Sequence, residues 1–211
     1  NAFGARVTLM ELLPNILPGA DRDVGRVLRE SFERQGVKVI TGIKGVDRID
    51  LTDGGKRRLT YTRAEQQRTL DADAVFVCAG WPAAVEGLGL EQAGVELDRG
   101  FIKVNEYLQT TVPHIYCAGD ANGQGMLVQG AHFEAYAAAE NVVRGHNLPF
   151  EHTLLPNGGF TDPDHAGVGI TEEQAREKQL DYAVAVAHYA DLDRAIIDNR
   201  TAGFLKLLVD R

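Results

Sequence analysis

The sequence is poor in the residues that several kinds of chemistry require. It has only two cysteines, Cys78 and Cys117, which cannot form a disulfide framework and therefore indicate a reducing compartment. Ser31 is the only serine and falls within a helical pattern, so the chain contains no G-x-S-x-G nucleophile elbow. The six histidines lack H-E-x-x-H spacing and there is no C-x-x-C motif, so the sequence predicts no metal site.

Positive charge and long apolar runs are also scarce. The 22 lysines and arginines against 30 aspartates and glutamates give a net charge of −8, which disfavours nucleic acid because such binding depends on neutralising phosphates. No apolar run approaches the roughly 18 residues of a membrane span, and residues 1–6 have no signal-peptide pattern. We therefore expect a globular, cytoplasmic protein with neither a membrane nor a nucleic-acid partner.

The first forty residues have the pattern of a βαβ unit. Residues 6–12 are rich in β-compatible side chains, and Asp21 is a good N-cap for an amphipathic helix that ends at Gly36. Residues 37–40 then begin a second strand. Because short links join strand, helix and strand, the sequence predicts a parallel sheet with a right-handed crossover.

The middle of the chain combines a hairpin pattern with two continuous apolar runs. Residues 46–51 and 57–62 flank a glycine-containing turn and predict a β-hairpin. The apolar runs, residues 73–80 and 114–120, are typical of strands covered on both faces. Both runs are therefore expected to be buried strands.

An alanine-rich segment, residues 127–144, predicts a long helix with Gly145 as its C-terminal cap. The apolar periodicity places its buried stripe at Leu127, Ala131, Ala135, Ala138 and Val142.

The last sixty residues have the pattern of a small α+β domain. Thr171 and Gln174 form a capping box that opens a short helix. Strands are expected at residues 182–188, 194–198 and 204–209.

Two acidic residues are candidates for binding a nucleotide. Glu11 ends the first strand of the βαβ unit, where a carboxylate can accept hydrogen bonds from ribose hydroxyls; the alternative is a solvated carboxylate at a strand end. Asp120 follows Gly119 at the end of the second apolar run, before a glycine-rich turn and a helix, which is where doubly wound sheets bind ligands. The alternative is that Asp120 caps the turn that follows it. Cys78 and Cys117 are expected to be inert buried thiols.

Residues 111–120, Thr-Val-Pro-His-Ile-Tyr-Cys-Ala-Gly-Asp, closely resemble the second FAD-binding motif of the pyridine nucleotide-disulfide oxidoreductases, the family of lipoamide dehydrogenase, mercuric reductase and glutathione reductase. Residues 160–175 are similar to the opening of that family's C-terminal interface domain, and residues 191–195 and 203–209 resemble its later strands. The motifs stand in the family's order, and the resemblance extends over essentially the whole chain.

The resemblance implies an α/β fold, with parts of two doubly wound dinucleotide-binding domains followed by a truncated α+β interface domain. Residues 1–80 correspond to the second part of the NAD(P)-binding domain and residues 81–150 to the C-terminal part of the FAD-binding domain. Residues 151–211 correspond to part of the dimerisation domain, which implies a homodimer.

The resemblance also implies which residues bind the cofactors. The Gly119-Asp120 pair matches the aspartate motif that binds the ribityl chain of FAD. The segment at the start of the long helix, Met126, Leu127 and Val128, matches the segment whose backbone faces the pyrimidine edge of the flavin.

For the nicotinamide nucleotide, Glu11 matches the residue that binds the NAD ribose and Gly80 the glycine that lines the nicotinamide site. No arginine occurs between Leu12 and Ala20 to hold a 2′-phosphate, so NAD is favoured over NADP.

Two positions depart from the family pattern. Family members usually carry arginine where Trp81 stands and histidine where Gln129 stands, and these departures bear on the substrate and the subfamily. By the family pattern, the first FAD-binding half with its C-x-x-x-x-C redox pair lies upstream, and the His-Glu proton-acceptor pair lies downstream. No catalytic residue is therefore expected within this fragment.

The function implied by the resemblance is that of a FAD-dependent NAD(P)H oxidoreductase. Such an enzyme passes hydride from nicotinamide to flavin, and electrons onward to a disulfide or another small-molecule acceptor. Two alternatives stay open. The fragment by itself is a non-catalytic nucleotide-binding and dimerisation module, or the parent is a flavin NADH oxidase without a redox disulfide.

Overall fold

The computed structural model describes residues 1–146 and 148–210. The chain divides into two compact units, of which the first comprises Asn1–Val77 and Gly158–Arg211 and the second comprises Cys78–Asn157. Both units combine helices with small sheets, in keeping with the predicted fold class.

The first strand, helix and second strand form the predicted βαβ unit. β1 (Thr8–Met10) and β2 (Lys38–Ile40) pair in parallel, and α1 (Arg22–Arg34) connects them. The carboxylate of Asp21 accepts the backbone N–H of Asp23 at 3.0 Å and so caps the first turn of α1. The predicted helix start is confirmed. It could be predicted because a capping side chain bonds to residues that are its neighbours in the sequence.

An antiparallel three-stranded sheet follows in the chain. It consists of β3 (Ile43–Leu51), β4 (Arg57–Arg63) and β5 (Gln66–Ala72), in that order. The β3–β4 pair confirms the predicted hairpin, and β5 adds a strand that the sequence analysis does not include. The core here consists of Ile40, Ile43 and Tyr61, against which Met10 and Leu70 pack.

The second unit begins with small elements and ends with a long helix. α2 (Leu90–Ala93) precedes the short antiparallel pair β6 (Leu97–Asp98) and β7 (Phe101–Ile102). The helix α3 (Val128–Arg144) then confirms the predicted helix over residues 127–144. Leu108, Ala137 and Ala138 form a buried cluster that packs α3 against the preceding loop.

The buried face of α3 differs from the predicted stripe. The buried residues are Gly130, Glu134, Ala137, Ala138 and Asn141. Of the predicted stripe only Ala138 is buried; the others, which are partly or fully exposed, are Leu127, Ala131, Ala135 and Val142. The prediction is wrong because it counts apolar side chains alone, whereas Glu134 and Asn141 are buried with hydrogen-bond partners elsewhere in the unit.

Neither apolar run forms the predicted buried strand. Residues 73–80 adopt no strand, and Phe76 and Val77 are 89% and 78% exposed. Residues 114–120 contain one isolated antiparallel bridge, at Tyr116. A strand persists only beside hydrogen-bonding neighbours, and within the described part of the chain no strand pairs with either run. Both strand predictions are therefore wrong for this chain.

The C-terminal part of the first unit contains two further strand pairs. β8 (Asn157–Gly159) lies beside β9 (His165–Gly167). Beyond them, β10 (Tyr182–His188) pairs antiparallel with β11 (Phe204–Asp210), which confirms two of the three strands expected here.

Two short helices accompany these strands. The predicted capping box opens α4 (Glu172–Glu177), where Thr171 and Gln174 bond reciprocally to each other's backbone N–H groups. The strand expected at residues 194–198 is wrong, because these residues fall largely in α5 (Asp193–Ile197). Helical spacing also brings Arg194 within 2.7 Å of the Asp198 carboxylate four residues later.

A buried lysine connects the C-terminal part of this unit to the start of α1. The side chain of Lys206, on β11, is 8% exposed. Its Nζ lies 3.1 Å from each Asp21 carboxylate oxygen, 3.0 Å from Asp23 Oδ2 and 2.5 Å from Glu172 Oε2. Burial alone lowers the pKa of Lys206, but hydrogen bonds to the three carboxylates outweigh burial, so the pKa lies above its ordinary value. The lysine is therefore charged, and it is surrounded by acidic partners from two distant parts of the sequence. We call Lys206, Asp21, Asp23 and Glu172 the lysine clamp.

Among the residues that the structure describes, no helix has both the length and the apolar character that a bilayer crossing requires.

Candidate functional site

The candidate site in the second unit is a turn bounded by two glycines. Asp120–Asn122 form one turn of 3-10 helix, with Gly119 before it and Gly123 after it, both at positive φ. Upstream, the Cys117 N–H donates to the Leu108 carbonyl at 3.0 Å and holds the approaching chain against the core. The turn therefore places Asp120 where the backbone leaves the core.

Gly119 has a backbone conformation that is essentially restricted to glycine. Its φ is 82° and its ψ is −163°. A Cβ at this position would lie 3.2 Å from the Cβ of Ala131 on α3, a tight contact even before strain is counted. Glycine is thus required for the chain to turn while lying directly against the helix.

Asp120 presents an exposed carboxylate. Within the described residues this carboxylate makes no hydrogen bond or ion pair. The turn is instead closed by backbone groups, since the Gly123 N–H donates to the Asp120 carbonyl at 3.1 Å. The alternative that the Asp120 side chain caps the turn therefore has no support, and the carboxylate is available to accept a hydrogen bond from a ligand hydroxyl.

Sequence reasoning missed Glu134, which lies behind the turn on α3 and is fully buried. Its Oε2 accepts the Gly119 backbone N–H at 2.6 Å and the Asn122 side-chain amide at 2.7 Å. Its Oε1 lies 2.7 Å from Nε2 of His152. The signal in the sequence is an acidic residue among alanines, one helical turn after Gly130, but its partners lie outside the helix and cannot be read from periodicity.

The start of α3 follows the turn closely. Met126 and Leu127 are partly buried and Val128 is 87% exposed. Leu127 is the N-cap residue and provides no side-chain hydrogen bond to the first turn. The backbone N–H groups in the first turn of α3 have no intrahelical partner. They form an electropositive helix end, which suits a carbonyl oxygen or an anion. Five of the predicted site residues therefore lie in one short segment of the second unit, which runs from the turn to the start of α3: Gly119, Asp120, Met126, Leu127 and Val128.

Glu11 lies in the first unit, directly after β1. Its backbone N–H donates to the Ile40 carbonyl at 2.9 Å, which extends the parallel pairing with β2 by one residue. Its Oε1 accepts the Leu13 N–H at 2.8 Å. The carboxylate is therefore held at the end of the strand by a local hydrogen bond and is partly exposed.

Gly80 lies in the extended segment that begins the second unit. It is exposed at a φ of 84°, and a Cβ at this position would have no heavy atom within 4 Å. Trp81, next to it, is 61% exposed. Gln129, the other departure from the family pattern, donates to the Pro156 carbonyl at 3.2 Å.

The two cysteines do not form a disulfide. Cys117 is buried, and burial, together with the nearby Glu134 carboxylate, raises the pKa of its thiol. It is therefore a protonated, inert thiol, as expected. Cys78 is exposed, which contradicts the expectation of burial. Within the described ranges no three His, Cys, Asp or Glu side chains are arranged to hold a metal ion.

Family patterns match almost the whole chain. The pattern of the pyridine nucleotide-disulphide oxidoreductases matches residues 1–135, and that of the same family's dimerisation domain matches residues 155–211. The chain belongs to this family. Its predicted membership and fold class are confirmed, and its last part is a dimerisation domain. The finer division at residues 80 and 150 stays a prediction.

Among curated relatives, a dihydrolipoyl dehydrogenase of Thermus scotoductus is 37% identical over 209 residues, which cover 99% of this chain and 45% of the relative. A dihydrolipoyl dehydrogenase of Mycobacterium tuberculosis is 36% identical over 211 residues, with the same coverage of both chains. The chain thus spans less than half the length of the curated relatives it matches.

Solved structures of the family show the same fold. LpdA of Mycobacterium tuberculosis superposes with a TM-score of 0.87 at 26% identity, covering 99% of this chain and 45% of LpdA. RclA of Escherichia coli, described as an HOCl-induced flavoprotein disulfide reductase, superposes with a TM-score of 0.79 at 29% identity, covering 99% of this chain and 47% of RclA.

Proposed function

We propose that this chain is the nucleotide-binding and dimerisation part of a FAD-dependent NAD(P)H oxidoreductase. The observation that carries the proposal is the Gly119–Asp120 turn. There a glycine-only backbone, packed against Ala131 in the first turn of α3, leads directly into a free, exposed carboxylate. Family membership and the similarity to dihydrolipoyl dehydrogenases support the same conclusion.

The residues of the turn fit the ribityl and pyrimidine parts of FAD. Asp120 would accept a hydrogen bond from a ribityl hydroxyl, and its negative charge has no competing partner within the described residues. The backbone N–H groups at Met126 and Val128 would face the polar edge of the flavin ring, whereas that of Leu127 already donates to the Gly125 carbonyl at 2.7 Å. Bound FAD supplies two-electron chemistry, and this chain supplies orientation and hydrogen bonds.

The ribose of the nicotinamide nucleotide is proposed to bind at Glu11 in the first unit. The Glu11 carboxylate is fixed by the Leu13 N–H and can accept hydrogen bonds from ribose hydroxyls. A 2′-phosphate in this position would bring two negative charges together, and no arginine between Leu12 and Ala20 could neutralise it. We therefore propose NAD rather than NADP.

We propose further that the chain is one part of a longer protein, which is a homodimer in the cytoplasm and transfers electrons to a disulfide or another small-molecule acceptor. The exposed apolar run at residues 73–80 supports the proposal that the chain is part of a longer protein. Its composition suits a covered strand, whereas Phe76 and Val77 are largely exposed here. By itself the chain is then a non-catalytic nucleotide-binding and dimerisation module. An intact protein that is an NADH oxidase without a redox disulfide is the alternative.

The proposal is tested by the visible spectrum of the intact protein under anaerobic conditions. We expect bound flavin whose absorption bleaches with NADH, and much less readily with NADPH. The 211-residue chain alone is expected to be colourless. An intact protein that holds flavin but is not bleached by either nucleotide would contradict the oxidoreductase proposal, and equal bleaching by both would contradict only the preference for NAD.

A further inference from the structure

Glu134 is unusual in being a fully buried carboxylate that none of the predicted roles includes. A buried carboxylate persists only where several donors satisfy it. Here two donors and a histidine ring nitrogen converge. Oε2 takes the Gly119 N–H and the Asn122 amide, and Oε1 faces Nε2 of His152. One side chain thus connects α3, the turn and the segment that follows α3.

The two donors on Oε2 come from opposite ends of the turn. Gly119 directly precedes Asp120, and Asn122 is two residues beyond it. Both bonds are short, at 2.6 and 2.7 Å. Holding the residues on both sides fixes the backbone at Asp120, although Glu134 does not bond to the Asp120 carboxylate itself.

Small residues allow α3 to pack closely against the turn and against the segment that follows the turn. A Cβ at Gly130, one helical turn before Glu134, would lie 2.8 Å from the Gly125 carbonyl oxygen. A Cβ at Gly119 would contact Ala131 at 3.2 Å. On the other side, His152 packs edge-on against Phe150 with ring centroids 4.7 Å apart, which restrains the imidazole that faces Oε1.

We propose that Glu134 is a positioning residue that sets the Gly119–Asp120 turn for FAD, with His152 orienting its carboxylate. This inference rests on the proposed function, since it assigns a purpose to the geometry of the flavin-binding turn. It predicts that FAD affinity depends on an acceptor at position 134 even when the protein is folded.

Two substitutions of Glu134 separate positioning from simple burial. In Glu134→Leu the Gly119 N–H and the Asn122 amide lose their acceptor, so we expect FAD to bind at least about tenfold more weakly. In Glu134→Gln the amide oxygen can still accept both donors, and the amide NH₂ can donate to Nε2 of the other neutral His152 tautomer. We therefore expect this conservative variant to recover most of the affinity.

Asn141→Leu is a matched control. Asn141 is a buried polar residue on the same helix, and its amide donates to the Tyr107 and Leu148 carbonyls rather than to the turn. This variant is expected to lose thermal stability while its FAD affinity stays close to that of the wild type. A purely structural role for Glu134 predicts that Glu134→Leu and Asn141→Leu behave alike.

The measurement is the Kd of FAD for the deflavinated intact protein, from quenching of flavin fluorescence, at a temperature where near-UV circular dichroism shows every variant folded. If Glu134→Leu does not fold, Asn122→Ala replaces it. This substitution removes one of the two donors, together with the bond that Asn122 Oδ1 accepts from the Gln124 N–H at 2.9 Å, and is expected to weaken FAD several-fold. The inference is supported if the affinity falls with Leu, or with Asn122→Ala, and is retained with Gln.

Two results would overturn it. A folded Glu134→Leu protein, or the Asn122→Ala replacement, that binds FAD as tightly as Asn141→Leu shows that the turn does not need Glu134. If the wild-type protein binds no FAD, that result contradicts the proposed function and therefore also the inference that rests on it. The wild-type arm therefore distinguishes the two failures.

Discussion

Replacing the lysine of the clamp tests how the C-terminal part of the first unit is held to α1. Lys206→Met keeps the length and apolar stem of the side chain but removes its charge. Asp21 then keeps only backbone donors, namely the N–H groups of Asp23 and Glu172 at 3.0 and 3.2 Å. The variant therefore leaves acidic groups facing each other without a cation between them.

The expected loss follows from the burial of the clamp. Removing one partner of a buried ion pair costs about 3 to 5 kcal/mol. Two features reduce the loss here, because Asp23 is 46% exposed and Glu172 retains the Arg176 guanidinium as a second partner. We therefore expect Lys206→Met to lower the free energy of unfolding by about 3 kcal/mol, the lower end of that range.

The assay is urea unfolding of the chain, followed by far-UV circular dichroism and compared with Lys44→Met. Lys44 pairs with Glu65 at 2.6 Å, but both side chains are mostly exposed, so its loss should hardly change the midpoint. The reasoning would be refuted if Lys206→Met unfolded at the same urea concentration as Lys44→Met. That result would mean that the cost of burying the lysine cancels its three ionic contacts.

Two further predictions follow. Hydrogen bonds from Lys206 hold the pKa values of Asp23 and Glu172 below their ordinary values of 3.8 and 4.5. The stabilisation by the clamp is therefore present above pH 4.5 and is lost as the pH falls through the lowered pKa values of the two carboxyl groups. At the alkaline end, the raised pKa of Lys206 maintains the stabilisation up to at least pH 10.5. The stability difference between wild type and Lys206→Met should thus be constant from about pH 5 to 10 and shrink below pH 4, and a difference that grows in acid would contradict this sign. Gly119→Ala should lower the free energy of unfolding of the second unit by about 1 to 3 kcal/mol in thermal or urea unfolding, because alanine is strained at this φ and ψ. Gly54→Ala, at a normal φ and in open space, should leave the stability of its own unit, the first, unchanged.

Local signals predicted the structure well where neighbouring residues decide it. Asp21 caps α1 and Thr171 opens α4 with the capping box read from the sequence, because each cap involves residues within three positions. The β3–β4 hairpin likewise forms about a glycine turn.

Interactions between distant residues could not be predicted in the same way. Lys206 and Asp21 are 185 positions apart, and no periodicity connects them. The apolar run at 73–80 has the composition of a buried strand, but strand formation depends on neighbours that the run itself does not specify.

The candidate site shows the same division. Its glycine and its aspartate could be named from the motif, and the structure shows why the glycine is needed and that the carboxylate is exposed. Glu134 could not be named, because its donors at Gly119, Asn122 and His152 come together only in the folded unit. The predicted stripe on α3 failed for this reason, since it assumed that buried residues are apolar.

The most direct test of the central claim is the flavin content of the intact protein with and without the carboxylate at the turn. On the proposed function, Asp120→Ala removes a charge-assisted hydrogen bond to a ribityl hydroxyl, so FAD affinity should fall by about tenfold or more. Glu91→Ala, which removes an exposed carboxylate on α2 in the same unit, should retain flavin fully. Equal FAD occupancy and Kd in wild type and Asp120→Ala would contradict the assignment of this turn to FAD.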